Sequence, residues 1–181
     1  MDKYQPKWTA LQTNIFRLLC LKVGQSANLR GIARELKVSP TAVSNALQKL
    51  KKEELIKMEK SKTMNLMSIE FNRDNQKAIE MKRVENLKII YESEVLDYLH
   101  KEFLGCSIIL FGSYSLGEDT IKSDIDIAII GTNGKEINLT KYDKFLERKI
   151  TINFYKSWTE IHKHLKENIL RGIVLYGEVE L

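Results

Sequence analysis

The stretch from Ser107 to Ile130 constrains the fold more than any other part of this 181-residue chain. Ser107-Ile108-Ile109-Leu110-Phe111 is a short apolar run, rich in β-branched and aromatic side chains, that stops at Gly112. Such a run reads as a buried strand. Ser123-Asp124-Ile125-Asp126-Ile127-Ala128-Ile129-Ile130 predicts a second strand, with exactly ten residues between Ser113 and Asp124 to hold a turn and a helix. Asp124 and Asp126 are two apart, so on a strand both carboxylates share one face, while Ile125, Ile127 and Ile129 fill the core behind it.

This order of strand, Gly-Ser turn, helix and Asp-x-Asp strand resembles the signature of the minimal nucleotidyltransferases of the DNA polymerase β superfamily, relatives of kanamycin nucleotidyltransferase. The resemblance covers residues 93–181. It implies an NTP, ATP being the expected one, with Gly112 and Ser113 holding its phosphates and Asp124 and Asp126 as the catalytic and metal-binding pair. The physical chemistry agrees with those roles. Glycine lets the chain turn sharply beside a ligand, and a helix opening at that turn offers free N–H groups to phosphate. Two neighbouring carboxylates repel unless a cation neutralises them, and hard oxygen ligands suit Mg²⁺. The implied reaction moves a nucleoside monophosphate to a hydroxyl on an acceptor that the sequence does not identify.

The chain departs from that pattern at one place. The family carries a third carboxylate on a later strand, and the matching segment here is Lys149 to Tyr155. Ile150, Ile152 and Phe154 are expected inward, which leaves Thr151 at the third position. Glu147 and Asp143 are the acids that could reach in from the preceding segment. A second function therefore stays open, in which the domain only binds nucleotide and the chain is a DNA-binding regulator or an antitoxin. The resemblance also implies a HEPN-type RNase as a protein partner, because minimal nucleotidyltransferases often act as antitoxins to such proteins.

The first third of the chain carries a different pattern. Helices are expected from Trp8 to Lys22, Leu29 to Leu36 and Pro40 to Lys52, the last opened by Ser39 as cap and Pro40 at the first helical position. Strands are expected from Leu55 to Met58 and Met64 to Phe71, with Lys60-Ser61-Lys62 at the tip between them. Three helices and a hairpin with a basic tip resemble a winged helix-turn-helix, whose third helix enters the major groove of duplex DNA. Thr41, Asn45, Gln48 and Lys52 form one polar stripe on that third helix. They are the candidate DNA-binding residues, with Lys60 and Lys62 in the wing. Charge supports this placement: residues 1–71 hold 13 Lys and Arg against 6 Asp and Glu, a difference of +7 in a chain whose net charge is +5. DNA-reading winged helices are often dimers, so a homodimer is an expectation by analogy.

The architecture expected is α+β: a winged helix-turn-helix over 1–71, a helical connector over 72–92, and a nucleotidyltransferase domain with a mixed sheet and flanking helices over 93–181. The connector should be stiff, because no glycine lies between Gly31 and Gly105 and no proline follows Pro40. Its apolar repeat is Ala78, Met81, Val84, Leu87 and Ile90. A further helix is expected from Ser93 to Phe103 and another from Lys156 to Asn168. The second would carry His162 and His164 on different faces, which makes a metal site there a poor reading. Ile173 to Tyr176 should close the domain as a strand. Apolar residues make up 43% and charged residues 29%, a globular profile with no run long enough for a membrane span. Cys20 and Cys106 read as buried thiols, and the chain as cytoplasmic.

Overall fold

The computed structural model describes residues 7–60 and 67–179, so Lys62 and most of the expected wing tip lie outside the described residues. The chain divides into two units, Met1–Lys82 and Arg83–Leu181.

The first unit is three helices and a hairpin. Helix α1 (Ala10–Leu21) opens with a reciprocal cap: Thr9 Oγ1 accepts from Gln12 N at 3.3 Å, and Gln12 Oε1 accepts from Thr9 N at 2.9 Å. Asn28 caps α2 (Leu29–Glu35) by accepting from Gly31 N at 2.8 Å. Ser39 caps α3 (Pro40–Lys52) with Pro40 at its start, as the sequence predicts. Strands β1 (Ile56–Lys60) and β2 (Met67–Phe71) pair antiparallel, Ile56 opposite Phe71 and Lys60 opposite Met67. Ala27 adds an isolated bridge to Ile69, which ties the entry of α2 to the hairpin. Ile15, Phe16, Ile32, Val43, Leu47, Leu50, Leu55 and Ile69 form one core, with Trp8 edge-on to Phe16 at 5.2 Å. This is a winged-helix arrangement built around a single apolar centre.

Helix α4 (Gln76–Glu92) is continuous, and the division between the units falls within it. It begins four residues later than the connector expected from Asn72. Asn72 and Asn75 instead donate their side-chain amides to Glu54 O at 2.7 and 3.1 Å, and Asn75 Oδ1 accepts from Lys77 N at 2.9 Å. These local bonds hold a turn in place of helix. The buried face of α4 also differs from the apolar repeat. Val84 is 61% exposed, whereas Ala78, Lys82, Asn86 and Ile90 are buried. At 3.6 residues per turn, steps of four keep to one stripe better than steps of three, drifting about 40° against about 60°.

The second unit is a four-stranded mixed sheet with helices on it. Helix α5 (Val95–Glu102) leads into β3 (Ser107–Phe111), the short helix α6 (Gly112–Leu116) and β4 (Ile125–Ile130). Helix α7 (Thr140–Leu146) follows, then β5 (Ile150–Tyr155), helix α8 (Lys163–Leu170) and β6 (Ile173–Tyr176). The order across the sheet is β5-β4-β3-β6, with β3 antiparallel to β4 and β6 and β4 parallel to β5. Ile109, Phe111, Ala128 and Ile130 pack with Trp158, Ile161 and Ile169. Ile108, Leu110, Ile125, Ile127 and Ile129 on the other face are fully buried. Gly172 has no substitute, because a Cβ there would stand 2.3 Å from Leu110 O.

The helix expected over Lys156 to Asn168 is broken. Trp158–Glu160 is a 3₁₀ turn, Ile161 is extended and α8 starts at Lys163. Glu160 Oε2 accepts from Lys156 N at 3.1 Å, and Ser157 and Thr159 bond to each other at 2.6 Å, so local side chains satisfy this stretch without an α-helix. Trp158 and Ile161 are buried all the same, since spacing of three suits either helix type. His162 then lies at the cap of α8, and His164 on the helix is almost wholly exposed beside Glu167. Cys20 and Cys106 are buried and unbridged. No helix among the described residues is long and apolar enough to cross a membrane.

Candidate functional site

Four elements of the second unit meet where β3 ends. The backbone leaves β3 at Gly112 with φ +72°, a left-handed conformation that glycine adopts without strain. A Cβ on Gly112 would stand 2.6 Å from Asp126 Oδ2, so the Asp126 carboxylate lies directly against the bare α-carbon. Antiparallel pairing sets Asp126 opposite Phe111, and parallel pairing sets it beside Thr151. Asp124 stands one residue before β4 begins, not within a strand as the sequence reading has it. Ile125 N bonds to Lys149 O there, and Asp124 is exposed while Asp126 is half-buried. Thr151 Oγ1 donates to Asp124 Oδ2 at 3.5 Å. Gly112, Ser113, Asp124, Asp126 and Thr151 therefore share one corner of the sheet.

Electrostatics mark the corner as a place for positive charge. Burial pushes the Asp126 carboxyl above the ordinary aspartate range, and the neighbouring Asp124 carboxylate pushes it further the same way. A cation between the two would relieve that repulsion. Two acids and a hydroxyl fit a hard ion such as Mg²⁺, which keeps several waters and takes few protein ligands. Among the described residues no group of three or more His, Cys, Asp or Glu side chains is placed to share a metal ion. The two acids that could have completed the set do not do so. Asp143, on α7, accepts from Ile150 N at 3.0 Å and so fixes the start of β5, while Glu147 is exposed at the left-handed end of α7.

The helix after the Gly-Ser turn is shorter than the phosphate-binding argument assumes. With five residues, α6 has little macrodipole, so an anion placed there would meet N–H groups of its first turn and the Ser113 hydroxyl more than a helix dipole. Its own turn is held by Ser115 Oγ donating to Gly112 O at 2.8 Å and by Glu118 N donating to Ser113 O at 2.9 Å.

Sequence reasoning missed three buried polar residues behind this corner. Asn86, Asp119 and Arg148 are 3%, 1% and 5% exposed. The signal for Asn86 was its place at four-residue spacing between Ala78 and Ile90. Asp119 and Arg148 had no local signal, because only the folded chain brings them together.

In the first unit, Thr41, Asn45, Gln48 and Lys52 all face solvent on α3, and Lys60 is exposed at the end of β1. Gln48 Nε2 donates back to Ser44 O at 3.4 Å.

Residues 92–176 match the family model described as the nucleotidyltransferase domain. This part of the chain is a nucleotidyltransferase domain. The matched span opens at the end of α4, contains the whole corner and closes with β6, the strand expected to complete the domain. No curated protein matches the chain. Solved structures that match include a zinc-responsive MarR family member, ZitR of Lactococcus lactis, at 24% identity and TM-score 0.42, covering 58% of this chain and 69% of that one. ZitR in complex with DNA matches at 26% identity and TM-score 0.41, covering 57% of this chain and 67% of that one. The adhesin competence repressor AdcR of Streptococcus pyogenes matches at 20% identity and TM-score 0.43, covering 57% and 72%. At these scores the overlap does not define a shared fold, and the winged-helix description rests on the three helices and the hairpin themselves.

Proposed function

We propose that the nucleotidyltransferase domain binds an NTP with Mg²⁺ and transfers its nucleoside monophosphate to an acceptor hydroxyl, and that the winged helix binds duplex DNA. The observation that carries the first part is the Asp126 carboxylate lying against Gly112, with Asp124 beside it. In the proposed reaction the acceptor oxygen bonds to the α-phosphorus, the bond from that phosphorus to the bridging oxygen breaks, and pyrophosphate leaves with the electron pair. Gly112 gives the phosphates room, and Ser113 and the N–H groups of α6 bind their oxygens. Asp124 and Asp126 would hold Mg²⁺, which supplies charge stabilisation to the phosphates when bound. Water takes the proton of the acceptor hydroxyl, since Thr151 is no base.

A second reading keeps nucleotide binding and removes turnover. It is favoured by Thr151 standing beside Asp124 where the family pattern has an acid, because a positioned base is worth about 10²- to 10⁴-fold in rate. The chain would then be a DNA-binding regulator that senses nucleotide. The DNA part of both readings is supported by the exposed stripe on α3 and by the +7 excess over residues 1–71.

Labelled ATP and Mg²⁺, incubated with the full chain in the presence and absence of cell extract, separate the readings. A labelled acceptor and released pyrophosphate support transfer. ATP bound but unchanged in both conditions supports the sensor. Duplex binding is expected at about 50 mM salt and should fall steeply by about 200 mM. Asn45→Ala should change sequence preference, and no duplex binding at the lower salt would remove DNA from the proposal.

A further inference from the structure

We infer that Asn86, Asp119 and Arg148 form a buried polar clamp whose task is to position the 112–124 segment, and with it Ser113 and Asp124; the inference rests on the nucleotide-binding reading of that segment. All three belong to the second unit. The Asn86 side-chain amide donates both to Tyr114 O at 2.9 Å and to Asp119 Oδ1 at 2.7 Å. Tyr114 follows Ser113 directly on α6, and Asp119 lies five residues before Asp124. Arg148 Nη2 is 4.0 Å from Asp119 Oδ2, and Arg148 Nη1 donates to Glu147 O at 3.0 Å. Arg148 in turn stands three residues before Thr151. One connected polar set thus reaches the three backbone segments that deliver Ser113, Asp124 and Thr151 to the corner.

Stability alone gives little reason for such a set. Burying an amide, a carboxylate and a guanidinium is costly, and apolar residues of similar volume are often as stable or more so. What directional bonds add is position, since each fixes an angle as well as a distance. Other bonds of the loop between Gly112 and Asp124 run within it. Glu118 N donates to Ser113 O, Ser123 N donates to Thr120 O at 3.0 Å, and Thr120 N donates to Ser123 Oγ at 3.0 Å. These bonds fix the shape of the loop from within. Asn86 anchors it to α4, and Arg148 anchors it to the entry of β5. Asn86 touches no phosphate or metal ligand side chain, so it is a positioning residue.

Asn86→Ala removes both donors, and Ser93→Ala is the control. Ser93 is also buried, but its Oγ donates to Ile90 O and accepts from Val95 N, away from the loop. Amide hydrogen exchange on the full chain without nucleotide is expected to quicken about 10-fold or more over residues 112–124 in Asn86→Ala. Exchange in the centre of β4 should stay unchanged, and Ser93→Ala should leave the loop as it is. In Mg²⁺–ATP titrations the dissociation constant is expected to rise about 10-fold in Asn86→Ala and not in Ser93→Ala. Unchanged loop exchange overturns the clamp, as does a uniform rise across the unit, which would make Asn86 a general stability residue. Faster loop exchange with unchanged ATP affinity overturns the positioning role. A wild-type chain that binds no ATP sinks the nucleotide reading separately, and loop exchange still decides whether the clamp exists. Asp119→Asn, which keeps the shape and the Asn86 bond, should show the same changes more weakly and serves if Asn86→Ala does not fold.

Discussion

The two units of this chain use polar residues in opposite ways. In the first, the three helices and the hairpin enclose an apolar core, with Lys82 buried at the unit's last residue, and the candidate DNA-binding residues of α3 all point outward. In the second, three polar side chains are buried behind the site, and one of its two carboxylates is itself half-buried. A surface that reads a polyanion needs charge and reach, and a periodic stripe on a helix supplies both. A site that holds a compact, highly charged ligand needs fixed geometry, which solvated side chains do not give.

That contrast makes its strongest prediction at Arg148. Arg148→Ala leaves the Asp119 carboxylate buried without its guanidinium and should cost about 3–5 kcal/mol in urea unfolding of the full chain. Leu47→Ala in the first unit should cost a similar amount, about 2–5 kcal/mol, by opening a cavity, but should leave ATP binding alone. A cost below about 1 kcal/mol at Arg148 would place its ion pair with the weak surface pairs and break the comparison.

Thr151→Asp comes next in size. It sets a third carboxylate beside Asp124 and supplies both a ligand and a base, so Mg²⁺-dependent transfer should rise about 10²-fold. The metal-free protein should unfold at a lower temperature, because a third negative charge joins two that already repel. A transfer rate that falls would mean that the third position lies elsewhere than Thr151.

In the first unit the expected effect is smaller. Lys52→Ala should weaken binding to all duplexes alike and reduce the slope of log affinity against log salt by about 1. An unchanged slope would show that Lys52 meets no phosphate.

The smallest effect concerns pH. Asp126 keeps its proton in the folded protein at pH values where the unfolded chain has lost it, because burial and Asp124 raise its pKa. Stability from this group is therefore present below the unfolded value and is lost as pH rises through the folded one. Asp126→Asn should accordingly raise the melting temperature of the metal-free protein at pH 7. Mg²⁺ should raise the melting temperature of the wild type and not of Asp126→Asn. A lower melting temperature for metal-free Asp126→Asn would show that the carboxylate is satisfied without a cation.

The sequence made most of the first unit legible, since caps at Asn28 and Ser39 and the apolar spacing of Val43, Ala46, Leu47 and Leu50 are local signals. The corner of the second unit was legible for a different reason. Gly112, Ser113, Asp124 and Asp126 are close in sequence, and the strand order brings Thr151 to them in register. What stayed hidden depended on long-range partners. Nothing near Asp119 or Arg148 in sequence says that they meet, and the four-residue spacing that places Asn86 on the buried stripe of α4 does not reveal its bond to Tyr114 O. Helix α7 was missed as well, and with it the use of Asp143 as the anchor of Ile150 N. The break in the expected helix after Lys156 came from side chains that satisfy the backbone locally, an outcome apolar spacing cannot distinguish from a helix.

The central claim is that Asp124 and Asp126 hold a cation for a nucleotide bound at Gly112 and Ser113. The direct test is ATP titration of the full chain with Mg²⁺ and with a chelator, for wild type and for Asp124→Asn combined with Asp126→Asn. The wild type should bind ATP at least about 10-fold more tightly with Mg²⁺, an advantage of about 1.4 kcal/mol. The double variant should show no difference between the two conditions. ATP binding that is equal with and without Mg²⁺ in the wild type, and unchanged in the double variant, would contradict the claim.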